Sequence, residues 1–377
     1  MKKKEQINNL VAVVTNNDDD IYCFRKELIE GIIAAGYEVL ISCPYGEKFE
    51  LMKDIEFLYD NPYIDRRGTN IISDTKLFFH YFKMLRKMRP GIVMTYTVKP
   101  NIYCGIAAHV LGIPVISNVT GFGSVLQKGK MVQKLIMKMM SFSFRRAACV
   151  MFQNSANMKL AEETKMIKGD HMLIPGSGVA LSRYPMTEYP EDDGGICFNY
   201  IGRVLRDKGV DDYLEAARRI KAKHPSVRFN VLGFIEPTQM YYEEILNGLE
   251  AQGIVKYHGS QKDVRPFIAA SHATIHPSTY GEGMSNVLLE SASSGRPVIS
   301  TDNAGCMETF IDGQTGLMYH GGNVDELCEK IEEFMALSNE ERKTMGIKGR
   351  QYMQENFSRQ FVIDAYLNKI KQYIDRR

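Results

Sequence analysis

An arginine and a lysine five residues apart follow an apolar stretch in the second half of the chain. Ile196–Ile201 precedes Gly202-Arg203-Val204-Leu205-Arg206-Asp207-Lys208-Gly209, where a helical pattern begins. In open parallel sheets, ligands bind beyond the carboxyl ends of strands, and helix N-termini at that edge favour anions. Arg203 as a bidentate fork and Lys208 as a point charge form a candidate diphosphate site. Taken alone, this spacing also fits two solvated surface charges.

A glycine-rich segment with two glutamates follows a later apolar stretch, Ala273–His276. It reads Gly281-Glu282-Gly283-Met284-Ser285-Asn286-Val287-Leu288-Leu289-Glu290. The glycines beside Glu282 allow a close approach of the backbone to a ligand, and Ser285 or Asn286 is a predicted helix N-cap. A carboxylate at Glu290 facing inward needs hydroxyl or cationic partners. The alternative is a capped helix with one paired glutamate.

The order of apolar and helical segments predicts the framework that positions these groups. With 377 residues, the chain exceeds what one hydrophobic core usually serves, so we expect two domains with a cleft between them. Short runs rich in Val and Ile alternate with helical patterns, which is typical of parallel sheets wrapped by helices. The predicted strands are Leu10–Thr15, Glu38–Cys43, Ile92–Thr95, Pro114–Asn118, Cys149–Phe152, Ile196–Ile201, Arg228–Leu232, Ala273–His276 and Pro297–Ser300.

A segment without periodicity separates the two series of strands. Residues 182–195 contain Pro185, Pro190 and the acidic run Glu191-Asp192-Asp193, and we place the linker there. The predicted domains are 1–185 and 186–359, with a C-terminal helix at 360–377 that crosses back to the first domain. Helices are predicted in the second series near 209–223, 238–250, 285–294 and 323–337.

Cysteine usage and hydropathy indicate a cytoplasmic protein. The seven cysteines have no zinc-like spacing, which favours reduced thiols. Met1–Lys4 and the following apolar run faintly resemble a secretory signal, but the run stops at Asn16 and is better interpreted as a buried strand. No apolar run approaches the roughly 20 residues that span a bilayer.

Basic charge is concentrated in the first half of the chain. The net charge is only +2, yet residues 75–161 contain 13 Lys or Arg and no Asp or Glu. This half therefore presents a basic surface to an anionic partner. Nucleic acid is not favoured, because the region has no recognition motif.

A predicted amphipathic helix lies within this basic region. Lys130, Lys134 and Lys138 recur every four residues beside an apolar face, and Arg145 and Arg146 follow. The pattern fits a helix lying on an anionic membrane surface, and it also fits a domain-packing helix with a solvated basic side. The lack of acidic residues favours the first alternative, so we predict peripheral attachment to the inner face of the cell membrane. A second segment, 78–87, mixes aromatic and basic residues similarly.

The combined motifs resemble family 4 of the retaining glycosyltransferases over essentially the whole chain. The resemblance rests on the Arg203 and Lys208 loop, the Glu-x7-Glu pair that ends at Glu290, and three later segments, which are Gly295-Arg296-Pro297-Val298-Ile299, Asp312-Gly313 and Thr315-Gly316-Leu317, with Glu308 between them. It implies a GT-B fold, α/β, with two Rossmann-like doubly wound parallel-sheet domains. The C-terminal domain would bind the nucleotide sugar and the N-terminal domain the acceptor.

The resemblance also implies roles for the donor residues. Arg203 and Lys208 would neutralise the donor diphosphate in place of a metal, and Glu282 would contact hydroxyls of the transferred sugar. Glu290 would hold the ribose. The expected co-substrate is a UDP-sugar, without metal or other cofactor, and transfer would proceed on one face of the sugar. The remaining predicted donor-binding residues are Gly202, the backbone N–H groups of Gly283, Met284 and Ser285, then Asn286, Gly259, Ser260, and Asn16 or Asn17 in place of paired glycines.

Acceptor contacts are predicted after two strands of the first half. Lys99 follows one strand and would meet an anionic acceptor, while Thr120 and Gly121 follow the next. Many family members have His-Gly at that second position, so a histidine-assisted role is in doubt here. Within the family, the pattern is most similar to bacterial enzymes of capsule, O-antigen or lipid-linked oligosaccharide assembly. We therefore expect a hexose or N-acetylhexosamine to reach a polyprenyl-diphosphate-linked saccharide.

Two other functions fit parts of the sequence. A GT-B nucleotide-sugar epimerase would share the donor site but needs catalytic carboxylates in its first domain, where acids are scarce after Asp74. A non-catalytic sugar-binding protein would fit the fold but has no use for a diphosphate grip. The eight histidines show no metal-like clustering, and only His258 and His276 are retained as substrate contacts.

Overall fold

The computed structural model describes residues 9–66, 68, 70–126, 129–192 and 195–374. They form two compact units, the first from Met1–Gly178 with Arg359–Arg377 and the second from Val179–Ser358. The segment Met1–Lys4, which faintly resembles the start of a secretory signal, lies outside the described residues. None of the described helices is long and apolar enough to cross a bilayer.

The first unit is a parallel sheet with seven strands in the order β3-β2-β1-β4-β5-β6-β7. The strands are β1 (Leu10–Val14), β2 (Glu38–Ser42), β3 (Leu58–Asp60), β4 (Ile92–Tyr96), β5 (Val115–Val119), β6 (Cys149–Phe152) and β7 (His171–Leu173). Every residue of β1, β4 and β5 is buried, because helices cover both faces of a parallel sheet. The helices are α1 (Asp18–Phe24), α2 (Lys26–Ala34), α3 (Ile71–Met88), α4 (Gly105–Val110), α5 (Gly123–Leu126), α6 (Lys130–Phe144), α7 (Ser155–Glu163) and, at the end of the chain, α14 (Arg359–Ile374).

The second unit is a parallel sheet with six strands in the order β10-β9-β8-β11-β12-β13. The strands are β8 (Cys197–Ile201), β9 (Arg228–Leu232), β10 (Lys256–Tyr257), β11 (Ala273–His276), β12 (Val298–Thr301) and β13 (Gly316–Tyr319). The helices are α8 (Val210–Lys223), α9 (Tyr242–Ala251), α10 (Arg265–Ala269), α11 (Asn286–Ser293), α12 (Val324–Ala336) and α13 (Asn339–Asn356). Both units are thus doubly wound α/β domains, and the predicted fold class is confirmed.

The strand order of the second unit reverses beside β8, which pairs with β9 on one side and β11 on the other. At such a switch point, the loops that leave the two neighbouring strands run to opposite faces and open a crevice at the carboxyl edge. The basic loop follows β8, and the glycine-rich loop follows β11. The sheet therefore brings the two motifs together.

The boundary between the units differs from the predicted one. The second unit begins at Val179 rather than at 186, and the first unit resumes at Arg359 rather than at 360. The segment 182–192 is irregular but packed, not a free linker: Tyr184 and Tyr189 are buried, and the Tyr189 hydroxyl donates to the His272 carbonyl at 2.8 Å. Absence of periodicity marked a segment without helix or strand, and it gave no information on packing. Asp193 of the predicted linker lies outside the described residues.

Candidate active site

The basic loop after β8 and the glycine-rich loop after β11 are joined by their backbones. The Thr279 N–H donates to the Asp207 carbonyl at 3.1 Å. Gly209 has a φ of +72°, and a Cβ there would lie 1.9 Å from the Pro277 carbonyl oxygen. Only glycine fits at this position, so the contact fixes Lys208 beside the second loop.

Lys208 and Glu282 form an ion pair at this junction. Lys208 Nζ lies 2.7 Å from Glu282 Oε1, and the two side chains are 15% and 10% exposed. The Lys208 ammonium also lies 5.2 Å from the centroid of the Tyr280 ring. Burial alone would raise the pKa of the Glu282 carboxyl, but Lys208 and a neighbouring histidine outweigh it and hold that pKa well below its usual range. The structure therefore brings two predicted catalytic residues into contact.

The neighbouring histidine is His276, the last residue of β11. His276 Nε2 lies 3.1 Å from the same oxygen, Glu282 Oε1. Cys306 lies nearby, and burial raises the pKa of its thiol well above the usual range. Within the described parts of the chain, donor atoms of His276, Glu282 and Cys306 lie within 4.8 Å of one another, a spacing that could hold a metal ion. The Lys208 ammonium already contributes a positive charge to this carboxylate.

The sequence missed this grouping, and the prediction that the histidines do not cluster with other ligands was wrong for His276. Helix α11 and strand β12 separate Cys306 from His276 along the chain, so no short-range spacing in the sequence indicated that the two side chains lie close together. A histidine at the carboxyl end of a strand was the available signal.

Arg203 is held by a buried carboxylate from the loop after β9. Arg203 Nη1 lies 3.2 Å from Glu236 Oε2, and the Glu236 side chain is only 3% exposed whereas that of Arg203 is 34% exposed. Val204 N–H donates to the Phe234 carbonyl, which joins the two loops. Glu236 was missed by the sequence analysis. It fixes one end of the guanidinium and leaves part of that group open to solvent.

Glycines after three adjacent strands lie in contact at the same edge. Gly233 has a φ of +144°, and a Cβ there would lie 1.8 Å from the Gly202 carbonyl oxygen. The Gly233 N–H donates to the Gly259 carbonyl at 2.8 Å, and Ser260 is exposed beside it. The structure thus places Gly202 after β8 and Gly259 and Ser260 after β10, and Gly233, which follows β9, contacts both Gly202 and Gly259. The role of Gly202, Gly259 and Ser260 in donor binding stays a prediction.

At the start of α11, one backbone N–H that was predicted to bind phosphate has a partner within the protein. Ser285 occupies the N-cap position, as predicted, but its side chain makes no capping hydrogen bond. Its backbone N–H donates to the Gly305 carbonyl at 2.7 Å, so this N–H is not available to a phosphate in this conformation. Ser285 Oγ, in contrast, is buried and has no hydrogen-bond partner within the described residues. The first-turn N–H groups of α11 begin at Asn286.

The remaining predicted donor residues lie on or before α11. Met284 is buried in an apolar cluster, so its side chain serves packing. Asn286 and Glu290 are half-buried on the first two turns of α11. The roles of Asn286 and Glu290 in donor binding stay predictions.

Lys99 has a partner that the sequence did not predict. Lys99 Nζ lies 2.6 Å from Asp74 Oδ1, and the Tyr103 hydroxyl donates to Asp74 Oδ2 at 2.9 Å. Both charged side chains are largely buried, at 13% and 15% exposed. The ammonium thus already has an anionic partner in this structure, and its contact with an anionic acceptor stays a prediction.

Asn17 caps its own helix. Its side-chain oxygen accepts from the Asp20 N–H at 2.8 Å, and its amide nitrogen donates to the Asn16 side chain. The first turn of α1 contains Asp18, Asp19 and Asp20, so this helix N-terminus is already supplied with negative charge. Asn17 therefore has a local capping role, and its contact with the donor stays a prediction.

Thr120 and Gly121 follow β5 at the carboxyl edge of the first sheet and are half-buried. Gly121 has a φ of +119°, which a side chain rarely tolerates. The backbone at Gly121 therefore has a conformation that favours glycine. Its role in acceptor binding stays a prediction.

The predicted amphipathic helix is α6. The five basic residues Lys130, Lys134, Lys138, Arg145 and Arg146 are all exposed. The apolar face is not fully covered by the unit, since Met131, Leu135 and Phe142 are 88%, 59% and 45% exposed. The Arg146 guanidinium stacks on the Phe142 ring at 4.1 Å. An exposed apolar stripe therefore lies beside the basic one, and membrane contact stays a prediction.

Sequence comparisons match both units. The family described as Glycosyl transferases group 1 matches residues 186–352, and Glycosyl transferase 4-like matches residues 11–154. Capsular polysaccharide biosynthesis glycosyltransferase CapM of Staphylococcus aureus is 24% identical over 79% of this chain and 80% of its own length. N,N'-diacetylbacillosaminyl-diphospho-undecaprenol alpha-1,3-N-acetylgalactosaminyltransferase of Campylobacter jejuni is 25% identical over 85% of this chain and 88% of its own length.

Solved structures share the fold. Sucrose-phosphate synthase from Thermosynechococcus elongatus has a TM-score of 0.79 at 18% identity and covers 98% of this chain and 100% of its own. Anabaena HepE, solved in complex with UDP and glucose, has a TM-score of 0.78 at 15% identity. The match covers 96% of this chain and 99% of HepE.

Proposed function

Because the chain belongs to the group 1, family 4-like glycosyltransferases with a GT-B fold, we propose that it transfers a sugar from a UDP-sugar to a lipid-linked saccharide with retention of configuration. We prefer this activity to the epimerase and sugar-binding alternatives, because both matching family models describe glycosyl transferases. The contact that carries the proposal is the Lys208 and Glu282 ion pair, which lies at the switch point of the second sheet. The transferred sugar is a hexose or an N-acetylhexosamine.

Arg203 and Lys208 bind the donor diphosphate and stabilise the departing UDP. The guanidinium of Arg203 is anchored at one end by Glu236 and is 34% exposed, so it can present further N–H donors to phosphate oxygens. Charged donors fixed before the reaction stabilise the charge that develops on a leaving phosphate. Two cations supply this charge without a metal ion. The N-terminus of α11 and Ser285 Oγ provide further donors at the same edge.

Glu282 contacts hydroxyls of the transferred sugar, and Glu290 contacts the ribose. The acceptor hydroxyl oxygen bonds to the anomeric carbon on the face from which UDP leaves. Its proton passes to a phosphate oxygen of the leaving UDP, so no covalent bond to Glu282 is needed. The low pKa of the Glu282 carboxyl keeps it ionised, which suits a hydrogen-bond acceptor and not a general acid.

The first unit binds the acceptor, with Thr120 and Gly121 at its carboxyl edge. The Campylobacter relative acts on a diphospho-undecaprenol-linked substrate, and the Staphylococcus relative belongs to capsular polysaccharide biosynthesis. An acceptor of that chemistry is anionic and embedded in a membrane. The exposed basic and apolar stripes of α6 fit such a surface, on the inner face of the cell membrane.

The test incubates the purified chain with UDP- and GDP-sugars and with polyprenyl-diphosphate-linked saccharides, with and without EDTA. We expect UDP to be released only when an acceptor is present, at a rate that EDTA does not change. The anomeric configuration of the product should be the same as that of the donor sugar. Inversion at the anomeric carbon would overturn the proposed retention. Consumption of a GDP-sugar alone would overturn the proposed donor.

A further inference from the structure

His276 and Lys208 contact the same oxygen of Glu282. Lys208 Nζ lies 2.7 Å and His276 Nε2 lies 3.1 Å from Glu282 Oε1. In the proposed function, on which this inference rests, Lys208 also binds the donor diphosphate. Contacts with phosphate weaken its hold on Glu282, and a buried carboxylate that loses its cation needs another donor.

We propose that His276 is a positioning residue, whose Nε2–H holds Glu282 towards the sugar hydroxyls while Lys208 turns from Glu282 to the diphosphate. The two side chains thus contact Glu282 at different stages of the reaction. Lys208 neutralises Glu282 in the empty site, and His276 keeps its orientation when the donor is bound.

His276 is anchored in a way that Lys208 is not. It pairs with Ser300 across β11 and β12, the Ser300 hydroxyl donates to its carbonyl at 2.8 Å, and the residue is 4% exposed. Lys208 reaches Glu282 through a flexible four-carbon chain that starts from a 3-10 turn, Arg206–Lys208. The histidine contact is therefore the one that survives a movement of the lysine.

The other ring nitrogen indicates which tautomer is present. His276 Nδ1 is buried and has no hydrogen-bond partner within the described residues. A proton there would be a buried donor without an acceptor, which is costly. The hydrogen-bonding pattern thus assigns the proton to Nε2, where it points at Glu282.

A matched pair of substitutions separates positioning from packing. A glutamine amide reaches the place of Nε2, whereas the shorter asparagine amide reaches only the place of Nδ1. We expect His276→Gln to keep kcat within about threefold of the unaltered protein and His276→Asn to lower it about tenfold or more. Titration calorimetry with UDP, which lacks the sugar, should give the same Kd for all three proteins.

The control is a second histidine and glutamate pair on the surface of the same unit. His320 Nδ1 lies 2.8 Å from Glu326 Oε2, and His320→Ala, which removes this contact, should change neither kcat nor the Kd for UDP. Rates are compared at a temperature at which UDP binding shows each variant to be folded. Equal kcat for the two His276 variants, or a loss of UDP affinity in parallel with kcat, would overturn the positioning role. Failure of the proposed function would instead leave every UDP-sugar unconsumed by the unaltered protein.

Discussion

Lys208 and Glu282 are 74 residues apart in the chain, yet their charged atoms lie 2.7 Å apart at the switch point of the second sheet. The pair forms because parallel strands deliver their following loops to one edge, and because Gly209 lets the basic loop pass against Pro277. The same contact that holds the two loops together also places a cation and a carboxylate where a sugar diphosphate would lie. We therefore expect stability and activity to be coupled at these residues.

Breaking one half of this ion pair should destabilise the second unit. Lys208→Met leaves a buried carboxylate without its cation, and we expect a loss of about 2–4 kcal/mol in the free energy of unfolding. Glu282→Gln should cost a similar amount, and the double variant less than the sum of the two. Denaturant unfolding of the four proteins measures the coupling. Lys223 and Glu332 form a surface ion pair at 2.7 Å, for which the same cycle should give a coupling energy below about 1 kcal/mol. Equal coupling energies for the surface pair and for Lys208 and Glu282 would contradict this expectation.

The stabilising effect of Glu282 should depend on pH. Its pKa in the folded protein lies below the ordinary glutamate value of about 4.3, so the folded state binds fewer protons there than the unfolded state. The stabilisation is present above that value and is lost as pH falls towards the folded pKa. The difference in unfolding free energy between the unaltered protein and Glu282→Gln should shrink as the pH falls below about 5. A Glu282 difference that stays constant over this range would refute the assignment.

Two glycines of the second unit should respond oppositely to alanine. Gly209→Ala forces a side chain into a left-handed backbone and against the Pro277 carbonyl, so we expect it to lower both stability and turnover strongly. Gly248 lies inside α9, and a Cβ there meets nothing within 4 Å. Gly248→Ala should raise the free energy of unfolding by about 0.5–1 kcal/mol without affecting turnover. Thermal melts and kcat test both, and a tolerated Gly209→Ala would show that the loop contact is not required.

Charge reversal on α6 should weaken membrane binding. Lys130→Glu, Lys134→Glu and Lys138→Glu together should reduce binding to anionic vesicles by about tenfold or more, since each basic residue near such a surface contributes about 1 kcal/mol. Co-sedimentation with vesicles of anionic and neutral lipid measures this. Reversal of the exposed Lys223, Lys343 and Lys348 in the second unit is the matched control. Equal partitioning of both triple variants would return α6 to a solvated surface helix.

The sequence predicted the sheets well because buried parallel strands are continuous apolar runs. Leu10–Val14 and Ala273–His276 were found within one residue of their predicted ends. The four edge strands β3, β7, β10 and β13 were all missed. The first three have two or three residues each, with exposed positions, and give no apolar run, whereas β13 is largely buried but begins at a glycine, Gly316. Helix α13 was also missed, because its buried face includes Gly346 and Gly349 in place of large apolar residues.

The charged partners were less predictable than the strands. Arg203, Lys208 and Glu282 were identified from loops at the carboxyl edge, which the α/β topology places in advance. Asp74 lies 25 residues from Lys99 on another helix, and only the packing of α3 brings the two together. Glu236 and the contact between His276 and Glu282 were likewise not predicted, because a contact between side chains that are distant in the chain leaves no periodic signal.

The most direct test of the donor site is calorimetric titration of UDP into Arg203→Ala and Lys208→Ala, beside Arg206→Ala as control. Arg206 lies on the same loop, but it is 69% exposed and pairs with Asp211. The account predicts that Arg203→Ala and Lys208→Ala each weaken UDP binding about tenfold or more, whereas Arg206→Ala binds as the unaltered protein does. Unchanged UDP affinity in both site variants would contradict a diphosphate grip at Arg203 and Lys208.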